Sequence, residues 1–307
     1  MKPYLAILVL NWRQPQITIK TVDSFLSANT KKYNFHLYLT DSHSPDDSLF
    51  FFKRKYGADP RVTIFQTKSN LGYSGGHNYV LRQIKNNFDY YLIANNDLKI
   101  DKNAIDFLIA RIHRSPKLGI VGPKVYFYPQ HEYHFRRYQD SDRGRVIWSV
   151  GGLIDWNNLL ATNIGLDQVD RGQFNQPAYR LGFIPGCFLL IRHSVLEKIG
   201  YFDEDYFLYF EDVDYCHRAR LAGFNLAVVP QSIVWHINAA SSAVGGNLAD
   251  YFLTRNRLIF ARKFAPLKTN LLLLKQSIFT FFGHSPLWQK RAIIDFYLNR
   301  LKQGSWT

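Results

Sequence analysis

Residues 90–99 read YYLIANNDLK, a short apolar run that stops abruptly at three polar residues. An apolar run of this length, bounded by polar residues, predicts a buried strand. Three earlier segments have the same form, namely YLAILVL at 4–10, FHLYLT at 35–40 and VTIF at 62–65. A helical pattern beginning at Pro15 follows the first of them, and another covers Asn78 to Asn87. The alternation predicts an α/β fold with a mostly parallel sheet and helices on both faces.

Each predicted strand is followed by a polar segment, in order NWRQP, TDSHSPDDS, TKSNLGYSGGHN and NNDLK. Ligands of parallel α/β sheets bind beyond the carboxyl ends of the strands, so these segments predict a nucleotide pocket at one edge. In it, Asp41 would hydrogen-bond a base and Asp97 would bind a metal. Gly72, Gly75 and Gly76 would let backbone N–H groups approach phosphate or ribose. Each segment alone also fits an ordinary turn, helix cap or loop.

The distribution of charge is uneven. The chain has 38 basic and 24 acidic residues, a net charge of +14, and from Arg255 onward ten basic residues accompany a single acid, Asp295. The same stretch holds the apolar runs LLLL and IFTFF. This combination predicts a basic amphipathic helical extension, residues 246–307, that lies on an anionic membrane surface. A solvated helical extension and a nucleic-acid contact are the alternatives, and the interleaved apolar residues favour lipid over nucleic acid.

Three features predict a cytoplasmic protein, peripheral on the inner face of the cell membrane. The first apolar stretch is short and has no cleavage pattern behind it, so it indicates a strand and not an export signal. Two cysteines, Cys187 and Cys216, are too few for a disulfide framework, which suits a reducing compartment. The longest later apolar run is interrupted at Lys275 and falls short of the roughly 20 residues that cross a bilayer.

Several motifs in chain order carry a resemblance to a known family. They are NW at 11–12, TDSHSPDDS at 40–48, NLGYSGGHN at 70–78, LIANNDLKI at 92–100, the long PGCFLLIRHSVLEKIGYFDEDYFLYFEDVDYCHRARLAGF block at 185–224, VWHINAASS at 234–242 and YFLTRNRL at 251–258. Together they resemble inverting family 2 glycosyltransferases, and within them the rhamnosyltransferase-like branch of bacterial surface polysaccharide synthesis. The resemblance implies a GT-A fold with a Rossmann-like sheet. Residues 1–245 would form this domain, with a nucleotide-binding half at 1–100 and an acceptor-binding half at 101–245.

The resemblance also implies a donor site for a nucleotide-diphosphate sugar. Carried across residue by residue, Asp41 matches the acid that recognises the base. Asn70, Gly72 and Asn78 fall in the stretch that contacts the nucleoside. Arg255, in LTRNRL, is a candidate for neutralising the diphosphate or for binding anionic lipid, with ordinary surface charge as the alternative.

A divalent cation, Mg or Mn, is implied as well. Asp97 matches the last acid of the family's DXD motif, and His236 matches the downstream histidine that can complete the metal site. The first position of the motif is Asn95, which carries no charge and is a weaker ligand for a hard cation. We therefore expect Asp97 to carry most of the binding until a diphosphate supplies its own oxygens.

The acidic run at 211–214 matches the family's ED motif, in which Asp212 corresponds to the catalytic base. A carboxylate in the first turn of a helix is expected to stay ionised, because the helix dipole and the free N–H groups favour its charged form. Glu211 and Asp214 are expected to support the helix start, and stabilising the helix alone is the alternative for all three.

Inversion is a single displacement in which the base takes the proton of an acceptor hydroxyl while the nucleoside diphosphate leaves. The acceptor is expected to be an oligosaccharide or a lipid-linked saccharide, and no nucleic-acid partner is expected. One rival is a sugar nucleotidyltransferase, whose glycine-rich loop is absent from LVLNWRQP. The others are a non-catalytic basic protein that binds membrane surfaces and a carbohydrate-binding module without turnover.

Overall fold

The first part of the chain forms four parallel strands joined by helices, as predicted. The computed structural model describes residues 2–84, 87–176, 180–237 and 246–306. The strands are β1 (Tyr4–Asn11), β2 (Asn34–Asp41), β3 (Val62–Gln66) and β4 (Tyr90–Ala94), in the sheet order β3-β2-β1-β4. The helices are α1 (Pro15–Leu26), α2 (Ser48–Tyr56) and α3 (Gly72–Ile84).

Strand β1 is apolar on both faces because both faces are covered. Leu5 and Ile7 pack into one cluster of buried side chains, whereas Ala6 and Leu8 pack into another on the opposite face. A central strand of a parallel sheet therefore gives a continuous apolar run without alternation. This is the physical reason why its sequence predicts a strand.

The second part of the chain extends the same sheet. Its elements are β5 (Leu98–Ile100), α4 (Ala104–His113), β6 (Leu118–Phe127), β7 (Ile147–Ser149), β8 (Gly152–Asp155), β9 (Leu160–Asn163), β10 (Phe188–Arg192), α5 (His193–Ile199), α6 (Glu211–Leu221) and β11 (Asn225–His236). Strand β10 lies antiparallel between β4 and β6, and β11 runs parallel to β6 with β5 antiparallel on its other side. Strands β8 and β9 pair antiparallel in a separate two-stranded sheet, and the other strands of both predicted halves share one mostly parallel sheet.

Three helices follow the last strand: α7 (Asn247–Phe264), α8 (Leu267–Phe282) and α9 (Leu287–Tyr297). They confirm the predicted helical extension. Helix α7 buries Phe252, Ile259 and Phe260 against the body, so it is a packed element of the fold. Among the described residues, no helix combines the length and the apolar character that crossing a membrane requires.

Helix α3 begins earlier than its sequence indicates. The pattern predicts a helix from Asn78, with GYSGG as a loop, whereas the helix starts at Gly72. A Cβ at Gly76 would lie 2.6 Å from Cδ1 of Leu10 on β1, so this glycine lets the helix pack closely on the sheet. The interpretation of GYSGG as a loop is therefore wrong, whereas the approach of the glycine N–H groups to phosphate or ribose stays a prediction.

Candidate active site

Asp41 ends strand β2 at the carboxyl edge of the sheet and is fully buried. Its Oδ1 accepts a hydrogen bond from Asn11 Nδ2 at 2.9 Å, and its Oδ2 accepts one from the backbone N–H of Ser44 at 3.1 Å. A third donor, Gln66 Nε2, lies 3.4 Å from Oδ2. The carboxylate thus holds the following turn in place, and it keeps lone-pair capacity for one more donor. Recognition of a base by Asp41 stays a prediction.

The segment at Asn70 and Gly72 lies beside Asp41. Oδ1 of Asn70 accepts hydrogen bonds from the backbone N–H of Gly72 at 2.9 Å and from the hydroxyl of Ser42 at 3.3 Å. Gly72 has a φ of 68°, and a Cβ there would lie 2.4 Å from the carbonyl oxygen of Phe207. Only glycine fits this approach. The structure therefore brings Asp41, Asn70 and Gly72 together, and it joins them to the segment that precedes α6.

Asn78 does not face this edge. Its Nδ2 donates to the carbonyl oxygen of Phe202 at 2.8 Å and to Oε1 of Glu204 at 2.9 Å, and its Oδ1 accepts from the N–H of Phe202 at 3.1 Å. The side chain is fully buried, and protein atoms satisfy its amide. The predicted contact between Asn78 and the donor is not supported. Asn78 has a structural role instead, because its hydrogen bonds connect α3 with the segment at 202–204.

Asp97 and His236 meet at the ends of two paired strands, β5 and β11. His236 Nε2 lies 3.0 Å from Asp97 Oδ1, and Asn95 Nδ2 lies 3.3 Å from the same Nε2. The short approach lacks hydrogen-bond geometry, since the buried Oδ1 of Asp97 has no hydrogen-bond partner. The ring of His236 packs edge-on against Trp148 at 4.7 Å between centroids, which fixes its orientation.

This pair fits two neighbouring ligands of a divalent cation. Two oxygen or nitrogen atoms about 2.1 Å from an octahedral metal and at right angles to each other are about 3 Å apart. Among the described residues, no group of three or more His, Cys, Asp or Glu side chains could hold a metal ion. Asp97 and His236, with Asn95 beside them, therefore supply an incomplete set that suits a cation arriving with the oxygens of a diphosphate.

Asp212 lies in the first turn of α6. Its Oδ2 accepts a hydrogen bond from the backbone N–H of Gly186 at 2.7 Å, and Oδ1 accepts one from the N–H of Val213 at 2.8 Å. Burial nevertheless raises the pKa of Asp212 above its ordinary value, against the effect of these N–H groups. The backbone N–H groups at the helix start favour the charged form, as expected, but burial outweighs them in setting the direction of the pKa, and ionisation of Asp212 stays a prediction. A raised pKa makes the carboxylate a stronger base, because uptake of a proton from a hydroxyl group is then more favourable.

The two neighbouring acids have different roles. Burial, followed by the charges of Asp212 and Asp214, raises the pKa of Glu211 well above its ordinary range, and its Oε2 has no hydrogen-bond partner. Burial therefore favours the neutral form of Glu211, and of the two acids Asp212, which accepts two backbone N–H hydrogen bonds, is better placed to carry negative charge. Asp214 accepts hydrogen bonds from Tyr206 Oη at 3.0 Å and from Arg218 Nε at 2.5 Å. These contacts fit the expected supporting role of Asp214 at the helix start.

Sequence reasoning missed Tyr73. Its hydroxyl donates a hydrogen bond of 2.5 Å to the carbonyl oxygen of Gly186, the residue whose N–H contacts Asp212. Burial raises the pKa of Tyr73, followed by the charges of Glu211 and Asp212, which places the phenol beside both acids. Its position directly after Gly72 in NLGYSGGHN is the one available signal.

Cys187 lies in the segment that links the Asp97–His236 pair with Asp212. Burial raises the pKa of its thiol, followed by the negative charges of Asp97 and Asp212, so both carboxylates lie near this side chain. The carbonyl oxygen of Cys187 also accepts a hydrogen bond of 2.9 Å from the N–H of Asn95. The start of β10 therefore lies between the pair at 97 and 236 and the acid at 212.

Arg255 does not reach this site. It is fully buried in α7, and its Nη2 donates to the carbonyl oxygens of Lys302 at 2.6 Å, Tyr206 at 3.2 Å and Asp205 at 3.3 Å. The guanidinium therefore holds the segment that leads into α6. The expectation that Arg255 neutralises a diphosphate or lies on lipid is not supported, because its donors are taken by backbone carbonyls.

The sheet order and the acids at its edge define a GT-A glycosyltransferase fold. The structure of GalNAc-T7 with UDP, GalNAc and Mn2+ superimposes with a TM-score of 0.63, covering 93% of this chain and 58% of that one at 16% sequence identity. At that identity the likeness shows the fold alone. Residues 3–260 match the family described as Glycosyltransferase like family 2, so the chain belongs to that family.

Two relatives are similar over most of this chain. One is an N-acetylglucosaminyl-diphospho-decaprenol L-rhamnosyltransferase of Mycobacterium tuberculosis, 28% identical over 213 residues, with 66% of this chain and 67% of the relative covered. The other is the low-salt glycan biosynthesis hexosyltransferase Agl10 of Haloferax volcanii, 26% identical over 227 residues, with 72% and 63% covered. The chain thus spans about two thirds of each relative.

Proposed function

We propose that this protein is an inverting hexosyltransferase of cell-surface polysaccharide synthesis. It would move a sugar, with rhamnose as the first candidate, from a nucleotide-diphosphate donor to a saccharide or lipid-linked saccharide. The observation that carries the proposal is that two consecutive residues link the acid with the pair: the N–H of Gly186 contacts Asp212, and the carbonyl of Cys187 accepts from Asn95, whose side chain contacts His236 of the Asp97–His236 pair. The rhamnosyltransferase and hexosyltransferase relatives support the class of donor, and the decaprenol-linked acceptor named in one of them supports a lipid-linked acceptor.

In the proposed reaction, Asp212 takes the proton of an acceptor hydroxyl as its oxygen bonds to the anomeric carbon. The bond from that carbon to the diphosphate oxygen breaks on the opposite face, and the electron pair leaves with the nucleoside diphosphate. The Gly186 N–H holds the Asp212 carboxylate in position, at 2.7 Å. The raised pKa of Asp212 favours proton uptake, and the neutral form of Glu211 that burial favours would not compete for the proton.

The donor would lie along the carboxyl edge of the sheet. The proposed contacts to its nucleoside are Asp41, Asn70 and Gly72. Asp41 and Asn70 lie close together, because Ser42, which follows Asp41, donates a hydrogen bond to Asn70. Asp97 and His236, with Asn95 beside them, would hold the divalent cation, Mg or Mn. When bound, the cation would balance the charge of the leaving diphosphate. The Mn2+ bound with UDP in the GalNAc-T7 structure supports a divalent cation for this fold.

An acceptor carried by a lipid would bring the protein to a membrane. We propose a peripheral position at the inner face, where the basic helices α7 to α9 meet anionic lipid. The ten basic residues from Arg255 onward support this partner, although Arg255 itself is buried.

A panel of nucleotide sugars tests this function, with binding and transfer measured with and without Mn²⁺. A lipid-linked disaccharide and its water-soluble analogue would serve as acceptors, and the anomeric configuration of the product would be determined by NMR. We expect one donor to bind in the presence of Mn²⁺ and to give an inverted linkage. Retention of configuration, or formation of a nucleotide sugar from a sugar phosphate and a nucleoside triphosphate, would contradict the proposal.

A further inference from the structure

Helix α8 has an unusual distribution of side chains. Its buried residues are Thr269, Leu273 and Ser277, a narrow stripe that faces the body at helical spacing. Large apolar side chains point outward instead, and Phe279 and Phe282 are 67% and 80% exposed. The helix therefore attaches by a mostly polar stripe and presents apolar side chains to the surroundings. Clustered exposure of this kind marks an interaction surface.

Helix α9 continues this surface. An open groove of about 340 Å³ lies between the two helices, and its lining includes the apolar residues Ile278, Phe281, Phe282, Ile294, Tyr297 and Leu298. We name these six residues the α8–α9 face. Each of them is more than one third exposed. The groove shows that the apolar residues of the two helices meet and form one continuous patch.

The exposed charges on the part of the chain that carries the α8–α9 face are all positive. Between residues 266 and 306 the sequence has a single acid, Asp295, which is 1% exposed and accepts hydrogen bonds from Ser305. The exposed charged residues in this stretch are Lys268, Lys275, Arg291, Arg300 and Lys302, all basic. Lys275 Nζ lies 5.9 Å from the centroid of the Phe279 ring, so charge and apolar surface are in direct contact.

Apolar surface together with basic residues favours one binding partner for the α8–α9 face. A second copy of the chain would bring two sets of basic residues together, which is unfavourable. An anionic bilayer offers hydrocarbon to the apolar side chains and negative headgroups to the lysines and arginines. We propose that the α8–α9 face docks on a bilayer of anionic phospholipid, with its groove filled by an acyl chain. The inference rests on the proposed membrane partner and assigns it to these residues.

Vesicle sedimentation of the full chain tests the proposal. The wild-type protein should bind vesicles of phosphatidylcholine mixed with phosphatidylglycerol about tenfold more tightly than vesicles of phosphatidylcholine alone, and high salt should weaken the binding. Phe282→Asp should weaken binding to the mixed vesicles by about tenfold or more. Reversal of two charges, Lys268→Glu with Lys275→Glu, should weaken it to a similar extent. Phe50→Asp, at a position on α2 that is 60% exposed, is the matched control and should bind as wild type does.

Transfer to a water-soluble acceptor separates this proposal from the proposed function. We expect Phe282→Asp to keep wild-type activity on that acceptor, since its side chain is exposed and lies outside the catalytic site. Equal binding of wild type and Phe282→Asp to the mixed vesicles would overturn the docking proposal while the transferase activity stands. A dimer in analytical ultracentrifugation that Phe282→Asp converts to monomers, without vesicle binding by either protein, would also overturn it and would make the face a self-association surface.

Discussion

Oδ2 of Asp212 accepts a hydrogen bond of 2.7 Å from the N–H of Gly186, and the carbonyl of the same Gly186 accepts one of 2.5 Å from Tyr73. Gly186 thus connects Tyr73, near the start of α3, with Asp212, the proposed base. Tyr73 also lies next to Gly72, whose close approach to Phe207 joins α3 to the segment before α6.

Tyr73→Phe removes the hydroxyl that holds Gly186. We expect kcat to fall by about fivefold, because the loss of one hydrogen bond of roughly 1 kcal/mol loosens the N–H that positions Asp212. The KM for the donor should change little, and the pH at which kcat is half maximal should shift. Tyr79→Phe on the same helix is the control, since its ring packs on Phe65 away from Gly186. Equal effects of both variants would show that Tyr73 has only a packing role.

The Asp97–His236 pair predicts a metal dependence that rests on both side chains. His236→Ala should raise the Mn²⁺ concentration for half-maximal activity by about tenfold or more, and Asp97→Ala should abolish donor binding, because the carboxylate is the charged ligand that a hard cation prefers. Titration of Mn²⁺ in the presence of the nucleoside diphosphate, followed by calorimetry, measures this directly. His193→Gln is the control, because the ring of His193 stacks on Tyr91. Unchanged Mn²⁺ titration in His236→Ala would remove this residue from the metal site.

Burial of His77 is expected to make the free energy of unfolding sensitive to acid. Burial lowers its pKa to about 3, so the native state keeps the imidazole neutral. The unfolded chain takes up the proton near its ordinary pKa of about 6.5, and stability is therefore lost as pH falls below that value. The loss attributable to His77 should be roughly 1.4 kcal/mol per pH unit between about pH 6 and pH 4.

Urea unfolding of wild type and His77→Phe at a series of pH values measures this loss. The difference between the two proteins isolates one proton, because His36 and His217, whose pKa values burial also lowers, remain in both. His284→Gln, at an exposed position, should follow the wild-type pH dependence. Parallel curves for wild type and His77→Phe would contradict the prediction.

Gly76 predicts a steric effect on stability. In Gly76→Ala the new methyl group would meet both δ carbons of Leu10, at 2.6 and 2.7 Å, and we expect a loss of about 1–2 kcal/mol despite the higher helix propensity of alanine. In a Leu10→Ala background the same substitution should be neutral or stabilising, since the methyl group then has room. A loss of equal size in both backgrounds would show that contact with Leu10 is not the cause.

The fold follows from sequence where a local pattern determines it. The strands at 4–10 and 90–94 are apolar because both faces are buried, and their length and polar ends are visible in the chain itself. The start of α3 at Gly72 is not visible in this way, because GYSGG has the composition of a loop and forms a helix only through its packing against Leu10 and Phe207. Tertiary contacts there override local propensity.

The site residues that could be predicted from sequence also differ from the others in whether topology or tertiary contacts determine their place. Asp41, Asp97 and His236 follow strands, and the topology alone brings strand ends to one edge. Asn78 and Arg255 could not be assigned from sequence, because their partners at 202–206 lie far away in the chain and satisfy their donors through backbone carbonyls. The pKa of Asp212 depends on burial, which competes with the N–H groups that the helix start supplies.

The most direct test of the proposed mechanism compares Asp212→Asn with Glu211→Gln in donor binding and in transfer. Both substitutions replace a carboxyl group by an amide at neighbouring positions, and burial favours the neutral form of Glu211, so we expect only Asp212→Asn to remove a base. We predict that Asp212→Asn binds the donor as wild type does and loses transfer by about 100-fold or more, whereas Glu211→Gln transfers within about threefold of wild type. Substantial transfer by Asp212→Asn, or an equal loss in Glu211→Gln, would contradict the assignment of Asp212 as the base.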